Sequence, residues 1–422
     1  MTIQFLCILL MVSVNQVPAA ATTAHPTEDV LTQQQAVALA LENNPDLQVS
    51  LDQLKAIRHR IAQAGDYPAT SIEWEMDQTK LLRSYDEASY GISQLIEYPT
   101  RRGLRISLAK EETKVSESDY DLIRWELTLA VKTLYQRLAL SQLQARIAGE
   151  NVAILEKLLT LAQRRFEAGS VSKLDVLRAR VEAGNAADEK LLFENGERNY
   201  RMQLNYLLGR EAAAPLVTSP LSKGAAVSES VDYLVNLALS QRIEFRTLRN
   251  KQSAAALRQS LARSSYYPDF SAAFYRHQYS GDMDSWKMNF GIVIPIFGRG
   301  AIGGRIAEAR AEEKAVLTEA TAERARVEME VRNSFKDAAA LSERVTLYQE
   351  VILASAEEAF RLAEANYHEG EIDNLELLLS QKTLQDVRKR SAETMFAYNL
   401  RLIDLEQAVG GESGRIRPGS GS

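Results

Sequence analysis

The chain has 422 residues, of which 25% are charged, and a formal net charge of −6. That mildly acidic balance excludes a nucleic-acid binder, which needs a basic face. Cys7 is the single cysteine, so the rest of the chain holds neither disulfides nor thiolate metal sites.

The first element in chain order is apolar. "FLCILLMVSV" (Phe5 to Val14) is followed by the small residues of "VPAAATTA". This pattern predicts a secretory signal peptide over residues 1–21, cleaved near Ala20 or Ala21. Cys7 stands too early in the run to carry a lipid anchor. No later stretch approaches the length of a transmembrane helix, so any membrane crossing falls to strands in a closed barrel.

A helical pattern over 31–66 comes next, and then "SIEWEMD" alternates strictly. Ile72, Trp74 and Met76 face one way, and Glu73, Glu75 and Asp77 the other. A polar loop over 79–87 leads into "YGIS". Alternation of this kind suits a tilted membrane strand with lipid on one side and a wet lumen on the other. It suits a small soluble sheet with one wet face equally well.

Proline is absent from 100 to 214, as a long unbroken helix requires. A helix over 101–168 spans about 102 Å, and those over 31–66 and 174–208 about 54 and 52 Å. The two short helices laid end to end therefore match the long one. A Pro/Ser/Gly-rich linker over 211–229 follows. Beyond it come helical patterns over 230–265, 301–367 and 374–409. Between the first two, alternating runs carry Phe270, Ala272 and Phe274, then Met288, Phe290, Ile292 and Ile294. In 301–367, Val327, Val331, Ser334, Ala338, Leu341, Val345 and Tyr348 form a heptad seam, begun in the first half by Leu127, Val131, Leu134 and Leu138. An antiparallel coiled coil would show the same seam. Residues 411–422 read as a disordered tail.

The chain is written twice. "YGISQLIEYPTRRGLRISLAKEE" aligns with "FGIVIPIFGRGAIGGRIAEARAEE" at an offset of 200: Gly91 with Gly291, Gly103 with Gly303, Glu112 with Glu312. "RRFEAGSVSKLDVL" aligns with "ANYHEGEIDNLELL" at 201, Gly169 meeting Gly370. The halves are residues 31–210 and 230–410. Gly298, Gly300 and Gly303 spell the G-x-G-x-x-G of a dinucleotide cradle, yet the first half retains only Gly103 and no second strand follows the helix. Gly298 and Gly300 are expected instead to let a strand turn sharply into a helix. Two hairpins give four strands per chain. Four strands cannot close a barrel, so several chains must share one.

These stretches, with "LTQQQAVALALENNPDLQ" and "ANYHEGEIDNLELLLSQKTLQD", resemble the TolC-type outer-membrane efflux proteins over nearly all of Leu31 to Gly410. The first stretches look most like the cobalt–zinc–cadmium heavy-metal resistance branch. The resemblance implies a mainly α fold of tandem long-helix hairpins, assembled as a homotrimer with a trimeric α-barrel and a shared twelve-stranded outer-membrane β-barrel. It implies as partners outer-membrane lipid, a periplasmic adaptor protein and an inner-membrane resistance–nodulation–division pump. It implies no catalysis and no cofactor. A drug-efflux or type I secretion channel, or outside the family a soluble coiled-coil scaffold, are the alternatives.

By the same resemblance, Asp175 and Glu376 line a constricted periplasmic entrance, where a carboxylate ring attracts cations. Their position in the first helical turn equally fits caps that complement the helix dipole. The hairpin tips, Glu167, Gly169 and Ser170 with His368, Gly370, Glu371 and Asp373, are the expected adaptor contacts. Ile372 replaces a basic residue some relatives carry, which argues against a salt-bridged latch there. Ile72, Trp74, Met76, Phe270, Phe274, Phe290 and Ile292 are the expected lipid-facing side chains. The histidines His25, His59, His277 and His368 show no chelating spacing, and no metal site is predicted.

Overall fold

Capping chemistry sets the first helices. In the computed structural model, which describes residues 30–77, 87–279, 284–296 and 298–411, helix α1 (Gln33–Asn43) opens on Thr32, whose hydroxyl accepts the Gln35 N–H. The Gln35 side chain accepts the Thr32 N–H in return. Asn44 ends α1 and caps α2 (Pro45–Ala64), accepting the Leu47 N–H at 3.0 Å. The continuous helix expected over 31–66 is therefore two helices, because Pro45 has no N–H to carry the ladder through. The second half breaks likewise between α5 (Val231–Gln241) and α6 (Ile243–Ser264), without proline. There Arg242 sits at the break, paired with Glu244 at 2.8 Å and Glu330 at 2.7 Å.

Strands β1 (Ser71–Asp77) and β2 (Glu87–Ile96) lead into α3 (Pro99–Glu167), 69 residues and about 104 Å long. Helix α4 (Lys173–Leu207) returns along α3. Strands β3 (Asp269–Tyr279) and β4 (Asp284–Val293) lead into α7 (Arg299–Leu347). The helix expected over 301–367 does not run through as one α-helix. A π turn (Tyr348–Ile352) separates α7 from α8 (Leu353–Glu369), and α9 (Asn374–Val409) returns. The π turn accounts for the change of offset. Buried Val131 and Leu138 match buried Val331 and Ala338 at 200, whereas buried Leu155 and Val176 match buried Ala356 and Leu377 at 201. One extra residue in a helix, taken up as a π turn, leaves both flanking faces in phase.

The seam residues Val327, Val331, Ala338 and Val345 are buried, and Ser334, Leu341 and Tyr348 half-buried. Equivalent cores close the two halves. Ala36 and Ala40 pack with Val131, Leu204 and Leu208; Leu234 and Ala238 pack with Val331, Leu405 and Val409. The linker is pinned to this region. Leu31 N–H donates to the Val217 carbonyl at 2.9 Å, and Ser219 N–H to Tyr135 Oη at 2.9 Å.

The four strands form one antiparallel sheet in the order β1-β2-β3-β4. Ile72 opposes Ile92, Ile92 opposes Phe274, and Phe274 opposes Met288. The outer edges, on β1 and β4, have no partner strand among the described residues. Gly298 does not behave as expected: its φ is −90°, open to any residue, and a Cβ on Gly298 or Gly300 would meet open space. Among the described residues, no glycine of the corner takes left-handed backbone. The signal peptide, the loop over 78–86, His25 and residues 412–422 lie outside the described residues.

Candidate functional site: an apolar sheet face and two hairpin tips

The pleat sorts the strand side chains. Because the register pairs even-numbered residues with even-numbered ones across all four strands, Ile72, Trp74, Met76, Phe270, Phe274, Phe290 and Ile292 share one face. All seven are exposed, from Phe274 at 37% to Ile72 at 85%. The register adds Tyr90, Ile92, Ile96, Trp286 and Met288 to that face. Toward the β1–β2 and β3–β4 connections it turns aromatic and polar. Trp74 stacks on Tyr90 at 6.5 Å, Phe274 on Trp286 at 5.0 Å, and the Arg276 guanidinium lies 5.6 Å over Trp286 while pairing with Asp284. Aromatic rings at the end of an apolar strand band mark a membrane–water interface.

The opposite face is polar. Glu73 accepts from Tyr275 Oη at 2.8 Å and from Ser93 Oγ at 3.1 Å. Glu75, Ser89, His277, Lys287 and Asn289 share that face.

Where the sheet meets the helices, Arg101 carries both oxygens of Asp269 at 2.7 Å. It also donates to the Ser264 and Tyr267 carbonyls. The Tyr98 N–H adds a bond to Asp269 at 2.9 Å, and Tyr98 stacks on Tyr267 at 4.5 Å. Arg102 and Arg105 donate to the Gly65 and Ala64 carbonyls at 2.6 and 3.2 Å. The "TRRGLR" stretch is thus a clasp between the first strand-to-helix corner and the second half. Nothing local in the sequence marks Asp269, 168 residues away, as its partner.

At the other end stand the hairpin tips. Gly169 and Gly370 take φ of +76° and +84°, where a side chain is costly. Glu167, Gly169, Ser170, His368, Gly370, Glu371 and Asp373 are all exposed. Asp175 stands at the third position of α4 and completes a capping box: its carboxylate accepts the Ser172 N–H at 3.0 Å and hydroxyl at 2.7 Å. Ser172's hydrogen bond holds the Asp175 carboxyl below the ordinary carboxylate range, against the opposing effect of desolvation and with help from Arg178. In the second half the cap is Asp373, accepting the Glu376 N–H at 2.9 Å, which leaves the exposed Glu376 carboxylate out of that bond.

The two tips are joined. Arg165 donates to the Tyr367 carbonyl at 2.8 Å and lies 4.3 Å over the Tyr367 ring. Ile372 packs with Leu155, Leu377 and Leu378, so an apolar contact stands at the position where a basic residue would be needed for a salt-bridged latch. Nothing in the sequence singles out Arg165, which stands four residues before the tip glycine Gly169. Among the described residues no helix is long and apolar enough to cross a membrane.

The sequence matches the outer membrane efflux protein family twice, over residues 36–210 and 234–411. It is 23% identical to the cobalt-zinc-cadmium resistance protein CzcC of Cupriavidus metallidurans, over 85% of each chain. It is 25% identical to the cation efflux system protein CusC of Escherichia coli K12, over 89% of this chain and 85% of the relative. The probable efflux pump outer membrane protein TtgC of Pseudomonas putida is 23% identical over 90% of this chain and 82% of its own. Among solved structures, the outer-membrane channel OprN superposes with a TM-score of 0.76 at 19% identity, covering 90% of both chains. VceC of Vibrio cholerae gives 0.74 at 17% identity, covering 90% of this chain and 96% of that one.

Proposed function

This chain belongs to the outer membrane efflux protein family, and from that premise we propose that three copies close one twelve-stranded barrel in the outer membrane and continue it as a helical tunnel into the periplasm. The observation that carries the reading is the sheet: one face apolar from edge to edge, the other polar, and neither edge covered by a strand among the described residues. Open edges are not tolerated in lipid, so sister strands must cover β1 and β4. Three times four strands gives a barrel wide enough for a water-filled lumen, lined by the polar face.

The channel is a passive conduit that catalyses no reaction. A periplasmic adaptor engages the tips at Glu167, Gly169, Ser170, His368, Gly370, Glu371 and Asp373, and an inner-membrane pump supplies the energy. Heavy-metal cations are the cargo, by likeness to relatives named for cobalt-zinc-cadmium resistance and cation efflux. The second reading, drug export, rests on relatives named for antibiotic and toluene efflux. Asp175 and Glu376 form the carboxylate ring at the mouth, and Asp175 serves as cap and ring together. Its cap fixes the carboxylate in place without neutralising it.

The test is a planar-bilayer recording of purified protein whose native mass has been measured. A mass of three chains and a cation-selective reversal potential are expected, with the preference reduced by Asp175→Ala combined with Glu376→Ala. An unchanged reversal potential removes the two carboxylates from the mouth. A single-chain particle overturns the shared barrel.

A further inference from the structure

The two halves use their arginines differently where strands meet helices. In the first half each is engaged: Arg101 with Asp269, Arg102 with the Gly65 carbonyl and the Tyr67 ring, Arg105 with Glu97. In the second half Arg263 of α6 and Arg310 of α7 are exposed, and among the described residues neither makes an ion pair.

These two guanidiniums stand on one cleft of about 510 Å³ between α6 and α7, together with Tyr266, Tyr267, Gly303 and Ile306. No carboxylate lines it. Tyr266 and Tyr267 are 45% and 51% exposed, and β3 begins two residues beyond Tyr267, at Asp269. Tyrosines gather where a membrane protein leaves the hydrocarbon. At the equivalents of Arg263, Tyr266 and Arg310 the first half holds Gln63, Asp66 and Lys110. An acid enters there and one basic side chain is lost, so the shared fold does not require the charge of this cleft.

The cleft opens on the outer side of the helical wall. Ile57, Val115, Ala255 and Ala315 line one groove shared by α2, α3, α6 and α7. A groove common to four neighbouring helices marks the concave side, which is the tunnel. Glu312 also lines that groove, and Gly303, nine residues earlier, stands about 180° round α7 from it. Arg310, seven residues after Gly303, keeps to the Gly303 face.

We infer that this cleft binds the phosphate of an anionic phospholipid from the periplasmic leaflet, clamped by Arg263 and Arg310, with the two tyrosines against the glycerol. A planar guanidinium donates to two phosphate oxygens at once. The headgroup layer extends about 5–7 Å beyond the hydrocarbon on each side. Arg263 stands six residues before the first residue of β3, close enough for a long side chain to reach that layer. A zwitterionic lipid would bring its own cation against the arginines, so the cleft selects an anionic headgroup. The inference rests on the shared-barrel reading, which puts this level at the membrane surface.

Flotation and native mass of the full-length protein test it. Protein that does not float with phosphatidylcholine vesicles overturns the membrane reading itself. Protein that floats is titrated in detergent with phosphatidylglycerol, and bound lipid is counted by native mass. Three tightly held molecules per three-chain particle are expected. Arg263→Gln or Arg310→Gln should weaken this binding about fivefold, and the two together about twenty-fivefold. Both variants should keep the three-chain mass, since the first half folds with Gln63 at the equivalent place. Arg305→Gln removes an exposed arginine from the opposite face of α7 and should change nothing. Equal binding by wild type and double variant overturns the cleft and leaves the channel reading standing. An equal loss for Arg305→Gln also overturns it, because the attraction would then be diffuse. Inorganic phosphate that displaces the lipid at equal concentration would make the ligand a free anion and overturn the lipid assignment.

Discussion

Gly209 takes φ of +66° at the end of α4, and its counterpart Gly410 takes +75° at the end of α9. Both lie against a break between short helices. A Cβ on Gly209 would stand 2.4 Å from the Asn43 carbonyl oxygen, and one on Gly410 2.5 Å from Arg242 Cγ. Gly169 shares the left-handed backbone but has nothing within 4 Å. Gly169→Ala should therefore cost only the backbone term, about 1–2 kcal/mol. Gly209→Ala adds a clash with backbone that cannot rotate away, about 1–3 kcal/mol more. Unfolding midpoints in detergent, compared between the two variants, check this; equal shifts would mean that the helix break gives way freely. At this scale the sequence speaks unevenly. The duplicated tip glycines, Gly169 and Gly370, were legible, because a repeat displays what both halves need. The Arg101–Asp269 clasp was not, because its partners lie far apart in sequence and neither residue type is unusual at a strand-to-helix corner.

Among the elements, long helices were legible from proline-free stretches and interruptions only in part. "NNP" at Asn43 to Pro45 carried a stop and a restart that periodicity alone passes over. The break at Arg242 has no such mark, since ion pairs from the buried Arg242 to the half-buried Glu244 and Glu330, rather than local propensity, hold it. The π turn was present in the sequence as the step from 200 to 201, though an offset alone does not say whether a loop or a helix absorbs it. The structure places it inside the helix, which makes a prediction. Deleting Glu350 should convert the π turn to α-helix and leave the faces of α7 and α8 in phase, so the protein should fold with little loss of stability. Deleting Glu150, its first-half counterpart by the 200 offset, should turn every later residue of α3 by about 100°. Buried Leu155 and Leu158 would then lose their packing, at about 1.5–3 kcal/mol each. Heat stability of the purified variants separates the two; comparable damage from both deletions would show that the extra residue is needed for more than phase.

For the whole molecule, the decisive property is the sidedness of the sheet, which no single strand displays. Alternation in "SIEWEMD" left lipid and solvent equally open, and only the register across four strands shows that every apolar set falls on the same side. A soluble sheet with one wet face would pack its apolar side on helices; here Ile72 and Phe290 remain 85% and 82% exposed. If that face meets lipid, a charge placed on it should be far more damaging than the same charge one residue away. Phe290→Lys puts an ammonium among Ala272, Ile292 and Met288, on the face we assign to lipid, and should cost about 2–4 kcal/mol near the middle of the membrane. Asn289→Lys puts the same group on the face shared by Lys287 and Tyr275, where the lumen's water solvates it, and should leave assembly intact. Each variant is expressed and the fraction recovered as three-chain particles in the outer membrane is measured. A sharp loss for Phe290→Lys with near-normal yield for Asn289→Lys is the expected result; equal yields would mean that lipid does not touch this face.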